Sequence, residues 1–439
     1  MSGLGPRFAE HRRHVAALRE AALRAVEPAA AVERWLSPTD FADAENIYVV
    51  GAGKAGVGMA TAVAARLGDR LTAGVLSVPR APEQSPERLT FIEGGHPQPT
   101  EGTLHAGRAI AALLSTTTER DLVLALISGG ASALLELLRP GLTLADLQQT
   151  NAALLRSGAA IHEVNAVRTR LSQLKGGGLA RLARPARVLA LILSDVVGNP
   201  LDIIGSGPTV VGAHSQTAGL NAALAVVEKY GLREQLPPAV QRQLVYGTTQ
   251  LAEEAPVVEN RLIGTNALAG EAALAAARAL GFTAEWLGDD WQGEAREVGG
   301  RLAELVLARR TLMRQARAGG ASPPGARLPQ CLLAGGETTV TVRGRGRGGR
   351  CQEFALAAAL ELRPGDHLTV LAAGTDGTDG PTDAAGGLVD AETLPRDGGA
   401  ARAALHDNDA YGFLSAAGGL VVSGPTNTNL LDIYLVLQS

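Results

Sequence analysis

Two cysteines, Cys331 and Cys351, stand among 439 residues, too few for a disulfide scaffold or a four-cysteine zinc site. Aromatics are nearly as sparse. Six Phe, five Tyr and three Trp leave few of the stacking platforms that nucleic acid readout needs. Neither sign of charge dominates: 40 basic against 44 acidic residues give a net charge of −4, so no global basic field argues for nucleic acid or an anionic membrane. Long hydrophobic runs are missing as well, because the longest uncharged apolar stretch, residues 122–135, falls short of the ~18 to 20 residues that span a bilayer. Residues 1–30 are broken by Arg7, Glu10, Arg12, Arg13 and Glu20, which leaves no hydrophobic signal core. The expectation is a cytoplasmic, reducing location. Lysine is the scarcest functional residue: Lys54, Lys175 and Lys229 are the three lysines, so the other 37 basic residues are arginine. A lysine inside a glycine loop is therefore a pointed choice.

What is present is a large apolar fraction, 46% hydrophobic against 19% charged, with 54 glycines. That composition buries a substantial core, and the length suits two or three domains. Apolar runs ending in glycine or polar residues alternate with helical patterns, the signature of parallel α/β folds. Strands are expected at 47–50, 74–78, 122–127, 188–193, 261–263, 331–334 and 368–372. Three Gly/Thr/Val-rich runs (338–342, 387–389, 419–422) suggest a second domain with mixed pairing. Near the N-terminus, Val15, Leu18, Ala22 and Val26 fit an amphipathic helix. Residues 316–330 are the most loop-like stretch, a softer boundary lies at 236–259, and no fixed-period repeat is visible. The domains expected are 1–245, Rossmann-like, and 246–439, a smaller α/β domain.

Chemistry-bearing residues cluster at strand ends. Residues 51–56 read Gly-Ala-Gly-Lys-Ala-Gly between a strand and an alanine-rich helix, where glycines let backbone approach an anion at a helix N-terminus. A dinucleotide site also needs an acid at the end of the second strand; Ser77-Val78-Pro79-Arg80 supplies none, although Arg80 keeps an NADP reading open. The loop also fails the Walker A pattern. Its distinguishing feature, with Gly53, is Lys54, suited to phosphate or carboxylate oxygens. A second cradle, Ser128-Gly129-Gly130-Ala131-Ser132, offers free amides and two hydroxyls to phosphates.

Asp195 follows the strand at 188–193, where α/β sheets place their ligands, and Gly207 lies in a further glycine loop. The densest acidic element, residues 374–383, alternates carboxylates with glycine and threonine. Asp376 and Asp379 there can hold Mg²⁺ directly or through water. Glu337 is another carboxylate at a strand end. Arg350, beside a helix start, is expected to meet an anion, whereas Arg343, Arg345 and Arg347 read as a solvated loop. Over 161–178, Ile161, Val164, Leu171 and Leu174 form an expected packed face. Asn165, Arg168, Ser172 and Lys175 form a second face, read as lining a site. His96 is ambiguous and stays outside the catalytic set.

Anion cradles, a loop lysine, an arginine and strand-end carboxylates without a nucleophile–base pair suit phosphoryl transfer, in which catalysis is mostly positioning and charge neutralisation. The chain resembles the glycerate 2-kinase family, the class with a C-terminal MOFRL domain whose members were often labelled hydroxypyruvate reductases. The matching stretches are residues 51–56 (GAGKAG), 94–97 (GGHP), 126–135 (LISGGASALL), 161–180 (IHEVNAVRTRLSQLKGGGLA), 194–198 (SDVVG), 206–210 (SGPTV), 335–340 (GGETTV), 348–355 (GGRCQEFA), 373–386 (AGTDGTDGPTDAAG), 408–413 (NDAYGF) and 424–432 (GPTNTNLLD). They run in order from about residue 45 to the C-terminus. The chain departs from the family at Ala131, where a third glycine is usual, at Asn199, where an acid is common, and at Cys351, where asparagine is usual.

The resemblance implies ATP-dependent phosphorylation of D-glycerate at its 2-hydroxyl with Mg²⁺, and an active site in the cleft between a larger Rossmann-like three-layer domain and a smaller MOFRL-type domain. It maps the family's catalytic positions onto Lys54, Asp195 and Arg350. Gly53, Ser128, Gly129, Gly130, Ser132, Lys175, Gly207 and Glu337 are expected to bind the nucleotide, and Asp376 and Asp379 the metal. Expected partners are D-glycerate and ATP, with neither nucleic acid nor membrane, and a homodimer is allowed. An NAD(P)H-dependent hydroxypyruvate reductase and a non-catalytic nucleotide sensor are the rival readings.

Overall fold

The computed structural model describes residues 6–212, 216–246, 256–318, 330–363, 365–394, 398–426 and 428–438. Most of the loop expected at 316–330 lies outside the described residues. Two compact units are formed, Pro28–Ile263 and the pair of segments Met1–Glu27 and Gly264–Ser439. The expected division at 245/246 differs from this in two places. Residues 1–27 join the C-terminal unit because their helix, Pro6–Ala25, buries Val15, Leu18 and Ala22 and packs on the helix Asn266–Ala279. Arg12 in that helix also pairs with the buried Asp390 at 3.1 Å. Residues 256–263 stay with the first unit because they form most of its last strand.

Among the described residues that first unit is built on six strands: β1 (Ile47–Ala52), β2 (Leu71–Val78), β3 (Leu89–Glu93), β4 (Leu122–Ile127), β5 (Arg187–Leu193) and β6 (Val258–Gly264), in the order β3-β2-β1-β4-β5-β6. The pairs β1/β2, β1/β4, β2/β3 and β4/β5 are parallel. Every residue of β1 and β4 is buried, which is why these strands read as unbroken apolar runs, helices covering both faces. The order reverses between β1 and β4, and such a switch point opens a crevice beyond the strand ends. Gly51 pairs with Leu126 and Ala52 with Ile127, so the loops carrying Lys54 and Ser128 leave the sheet at the same level.

Among the described residues the C-terminal unit has seven strands: β7 (Thr283–Trp286), β8 (Trp291–Glu294), β9 (Gln330–Thr339), β10 (Leu368–Gly374), β11 (Gly386–Asp390), β12 (Leu420–Val421) and β13 (Asp432–Gln438). Their order is β12-β11-β10-β13-β9-β7, with β8 also on β9. Pairing is antiparallel from β12 to β9 and parallel for β7 and β8 on β9. The mixed character expected from the Gly/Thr/Val runs is present. Against expectation, 331–334 and 338–339 belong to one strand that runs straight through Gly335 and Gly336, and 340–342 lie outside it. The helix Arg350–Glu361 packs on this sheet, with Phe354 stacked on Tyr434 of β13 at 4.1 Å.

Glycine is demanded where the first sheet's two central strands meet. A Cβ on Gly51 would come within 2.0 Å of Leu126 O, and Gly53, at φ 137°, leaves no room beside Ser128. Gly51→Ala should therefore lower the stability of the protein by on the order of 1–3 kcal/mol, read as the midpoint of chemical unfolding. An unchanged midpoint would mean that β1 and β4 separate without cost.

Candidate functional site

The two loops beyond β1 and β4 are tied together by backbone. Lys54 N donates to Gly129 O at 2.8 Å, Ser128 N to Ala52 O at 3.1 Å, and Ala55 N to Ser128 Oγ at 3.1 Å. The Ser128 hydroxyl, 2% exposed, is thus a latch between the loops, not the phosphate donor expected of it. The Lys54 side chain, by contrast, is exposed, at the start of the helix Gly56–Leu67, where a fixed positive charge adds to the positive end of the helix.

Asp195 comes two residues past β5 and packs against the second loop: a Cβ on Gly129 would meet its Oδ2 at 2.7 Å. Burial raises its carboxyl above the ordinary aspartate value, opposed by the Gly130 amide and by the positive charge of Lys54. Gly130, at φ 84°, touches His96, and a Cβ there would lie 2.9 Å from His96 Cδ2 and 3.6 Å from Lys54 Cγ. Burial lowers the His96 imidazole below its usual value, and Lys54 pushes it the same way. Lys54, His96, Gly129, Gly130 and Asp195 therefore form one cluster at the switch point of the sheet.

Beside the cluster lies a pocket of about 170 Å³ lined by His96, Pro97, Pro99, Gly130, Ser132, Ala133, Asn151 and Arg168. It is smaller than the ~300 to 1,000 Å³ of a drug-sized ligand site. Arg168 Nε donates to Asn151 Oδ1 at 2.8 Å, and burial lowers the guanidinium's pKa while Glu136 opposes the shift. The Ser132 hydroxyl lies 3.0 Å from that of Ser206, which donates to Asn165 Oδ1 at 3.0 Å. A half-buried arginine, a histidine whose pKa is lowered and a hydroxyl around so small a space can hold the carboxylate of a small acid. Sequence reasoning left His96 outside its set, and it did not see Asn151. The Gly-Gly-His-Pro stretch was a usable signal for His96; nothing local marked Asn151.

Other expected residues go elsewhere. The helix Ile161–Leu171 ends before Ser172, whose backbone is extended (φ −108°, ψ 148°), so Ser172 and Lys175 do not continue the face of Asn165 and Arg168. Ile161 at its start is 54% exposed rather than packed. Lys175 Nζ donates to Leu135 O at 2.6 Å and Glu136 Oε2 at 2.7 Å, with both charged side chains 1% exposed. That is a buried ion pair. Gly207, at φ 60°, accepts from Gly177 N at 2.7 Å and packs on Asp202, away from the cluster.

In the C-terminal unit, Arg350 does meet anions, but they are the protein's own. Its Nε and Nη2 grip Asp432 at 2.7 and 2.9 Å, and Nη1 donates to Glu337 at 2.9 Å. Burial works against the guanidinium, and Asp432 with Glu337 overcomes it and raises the pKa. The metal pair is not assembled. Both oxygens of Asp379 accept backbone amides of the helix Arg350–Glu361, from Cys351 N at 3.1 Å and Gln352 N at 2.8 Å, and burial pushes the carboxyl up to about 6. Asp376 turns back to Thr378 N and Oγ1 at 3.0 and 3.1 Å. A carboxylate that caps a helix and one that closes a turn do not fit a Mg²⁺ cage. Among the described residues no group of three or more His, Cys, Asp or Glu is placed to hold a metal ion.

A doubly wound sheet with a lysine and an aspartate at its switch point and a small pocket lined by Arg168 beside them is the arrangement of a small-molecule enzyme of the α/β class. Comparison with known proteins is more specific. Residues 14–245 match the family described as "Domain of unknown function (DUF4147)" and residues 330–432 the MOFRL family. A D-glycerate 2-kinase of Thermotoga maritima is 38% identical over 94% of this chain and 95% of that protein. A glycerate kinase of Homo sapiens is 37% identical over 95% of this chain and 91% of its own. A protein of Agrobacterium vitis carrying a hydroxypyruvate reductase name is 40% identical over 89% of this chain and 98% of that protein. The crystal structure of glycerate kinase from Thermotoga maritima matches with a TM-score of 0.86 at 37% identity, covering 98% of this chain and 100% of that one. The chain belongs to the glycerate 2-kinase family.

If Lys175 is held for structure, Glu136→Gln should destabilise the protein by about 3–5 kcal/mol, because it strands a buried ammonium, whereas replacing both partners by Met and Leu should recover most of that loss. Urea unfolding distinguishes the two variants. Unchanged stability of Glu136→Gln would remove the structural role.

Proposed function

We propose that the protein is an ATP-dependent kinase that transfers a phosphoryl group to the 2-hydroxyl of D-glycerate, giving 2-phosphoglycerate and ADP. The observation that carries the reading is the joint placement of Lys54 and Asp195 beside a small pocket that holds Arg168. The choice of the 2-hydroxyl leans on the names of the relatives. In this reading Arg168 takes the glycerate carboxylate, and His96 and Ser132 fix its orientation. Asp195 accepts the proton of the attacking hydroxyl as the new P–O bond forms and the terminal P–O bond of ATP breaks. Its raised pKa makes it a better base than an ordinary aspartate. Lys54, with the amides of Gly129 and Gly130, neutralises charge on the transferring group.

Arg350 is kept as a second cation for catalysis. Asp432 clamps two of its nitrogens, and the partly exposed Glu337 is the partner that a phosphate oxygen can displace. A divalent ion belongs to such a reaction, yet Asp376 and Asp379 do not supply a cage for it; Mg²⁺ would come on the nucleotide phosphates, which neutralise it and are neutralised by it. No helix among the described residues is long and apolar enough to cross a membrane, and a cytoplasmic location goes with the use of ATP and with two free, buried cysteines. The homodimer is not needed for any step. Against the reductase reading stands the end of β2, Ser77-Val78-Pro79-Arg80, which carries no acid for a ribose. Glycerate with ATP, set beside hydroxypyruvate with NADPH, separates the two activities, and reductase turnover alone would sink the kinase.

Lys54→Ala should lower kcat by roughly 100- to 1,000-fold, the loss typical of one electrostatic donor to a transition state, with the unfolding midpoint unchanged. Arg168→Ala should act on KM for glycerate, by about 10- to 150-fold for one lost charge-assisted bond, more than on kcat; steady-state kinetics reads the split. On acidification kcat/KM should fall as Asp195 takes a proton, with a midpoint above the usual aspartate value of about 3.9, and Asp195→Asn should lose that limb with most of its turnover. A midpoint at or below the usual value would remove Asp195 as the base.

A further inference from the structure

A second cavity, of about 500 Å³, lies in the first unit and has no part in the reaction described above. The helix Ile161–Leu171 separates it from the small pocket. Arg168 lines the small pocket, while Ala166, Thr169 and Arg170 line the large one, as residues two apart on a helix project to nearly opposite sides. Lys175 and Gly207, expected at a nucleotide, also stand on this second wall.

The wall is unusually positive. Arg139, Arg170 and Arg181 all line the cavity. Arg170 is 7% exposed, and among the described residues neither its Nε nor that of Arg139 has a hydrogen-bond partner. The nearby acids are already engaged or distant from the interior. Glu163 accepts from Lys229 Nζ, Tyr230 Oη and Ala160 N at 2.7, 2.7 and 2.9 Å, Glu136 is paired with Lys175, and Asp202 is exposed at the rim. Burial disfavours the charge of Arg139, and Arg170 and Arg181 add like-charge repulsion. Guanidinium groups with idle donors facing an open space, Arg170 buried and Arg139 half-buried, are a poor arrangement for stability alone and a good one for a multiply charged anion. Ile203, Val210 and Val226 add an apolar side to the same space.

We propose that this cavity binds a small organic phosphate, with Arg139 and Arg170 donating to its phosphate oxygens and the apolar side receiving the remainder of the molecule. The phosphate can belong to a nucleotide tail or to a free phosphorylated metabolite, and the cavity is distinct from the pocket that takes glycerate. Calorimetric titration of the full-length protein tests it with three probes: inorganic pyrophosphate, the non-hydrolysable β,γ-imido analogue of ATP, and 2-phosphoglycerate. At least one probe should bind the wild type, bind Lys54→Ala equally, and bind the double variant Arg139→Gln/Arg170→Gln about 10-fold more weakly or worse. The double variant should unfold no earlier than the wild type, since it relieves repulsion. If it does not fold, Arg139→Gln alone, at the partly exposed position, should show the weakening. An analogue bound well above pyrophosphate assigns the cavity to a nucleotide; equal binding assigns it to the phosphate itself. No binding by any probe, binding that disappears with Lys54, or binding untouched by the arginine variants would overturn the proposal. Because nothing in the titration depends on turnover, its failure leaves the kinase reading standing and the failure of that reading leaves the titration valid.

Discussion

The contact on which the site depends is backbone against backbone, where β1 runs beside β4. Gly51 lies flat on Leu126, Gly53 on Ser128, and the Lys54 amide reaches Gly129 O. Side chains at 51 or 53 would force the strands apart and carry the two loops away from each other. Their close approach sets Lys54, Gly129 and Gly130 side by side, and the next strand over brings Asp195 against the same glycines. The chemistry is therefore placed by a sheet register, a more rigid device than a flexible loop.

Charge is used in two ways in this molecule. At the switch point, Lys54 stands exposed while Asp195 is half-buried without a salt-bridge partner among the described residues, and burial lowers the pKa of the His96 imidazole. These groups keep their capacity to act on something else. Elsewhere charges close on one another: Lys175 on Glu136, Arg350 on Asp432 and Glu337, Arg12 on Asp390. The buried Lys175–Glu136 pair is expensive to break and adds little by forming, while Arg350–Asp432 and Arg12–Asp390 tie segments far apart in sequence to one arrangement. Asp379 does similar work, capping the helix Arg350–Glu361 from 27 and 28 residues downstream.

The legibility of these parts differed for physical reasons. Strands buried along most of their length, β1, β4, β5, β9 and β10, announced themselves as apolar runs, and the more exposed β2 and β6 were anticipated as well. The short, half-exposed β3, β7 and β8 have no such run, and β13, central in its sheet, follows a loop motif that drew attention to its polar residues. The acidic stretch 374–383 looked like metal chemistry because alternating carboxylates and glycines are equally good at closing turns and capping helices. Spacing alone does not separate those uses. Lys175 misled in the same way, since the rarity of lysine says that a position matters without saying whether it matters to a ligand or to a buried carboxylate.

From the order of residues alone came the α/β class, the two glycine cradles, the strand-end position of Asp195 and, through the set of motifs as a whole, the family, because local hydrogen-bonding and periodicity are written in neighbouring residues. Tertiary structure decided which charges remain available. Whether Arg350 faces an anion or Asp432, whether Lys175 faces a ligand or Glu136, and whether His96, Asn151 and Arg168 share a pocket all depend on distances between residues tens of positions apart, which only the packed chain determines.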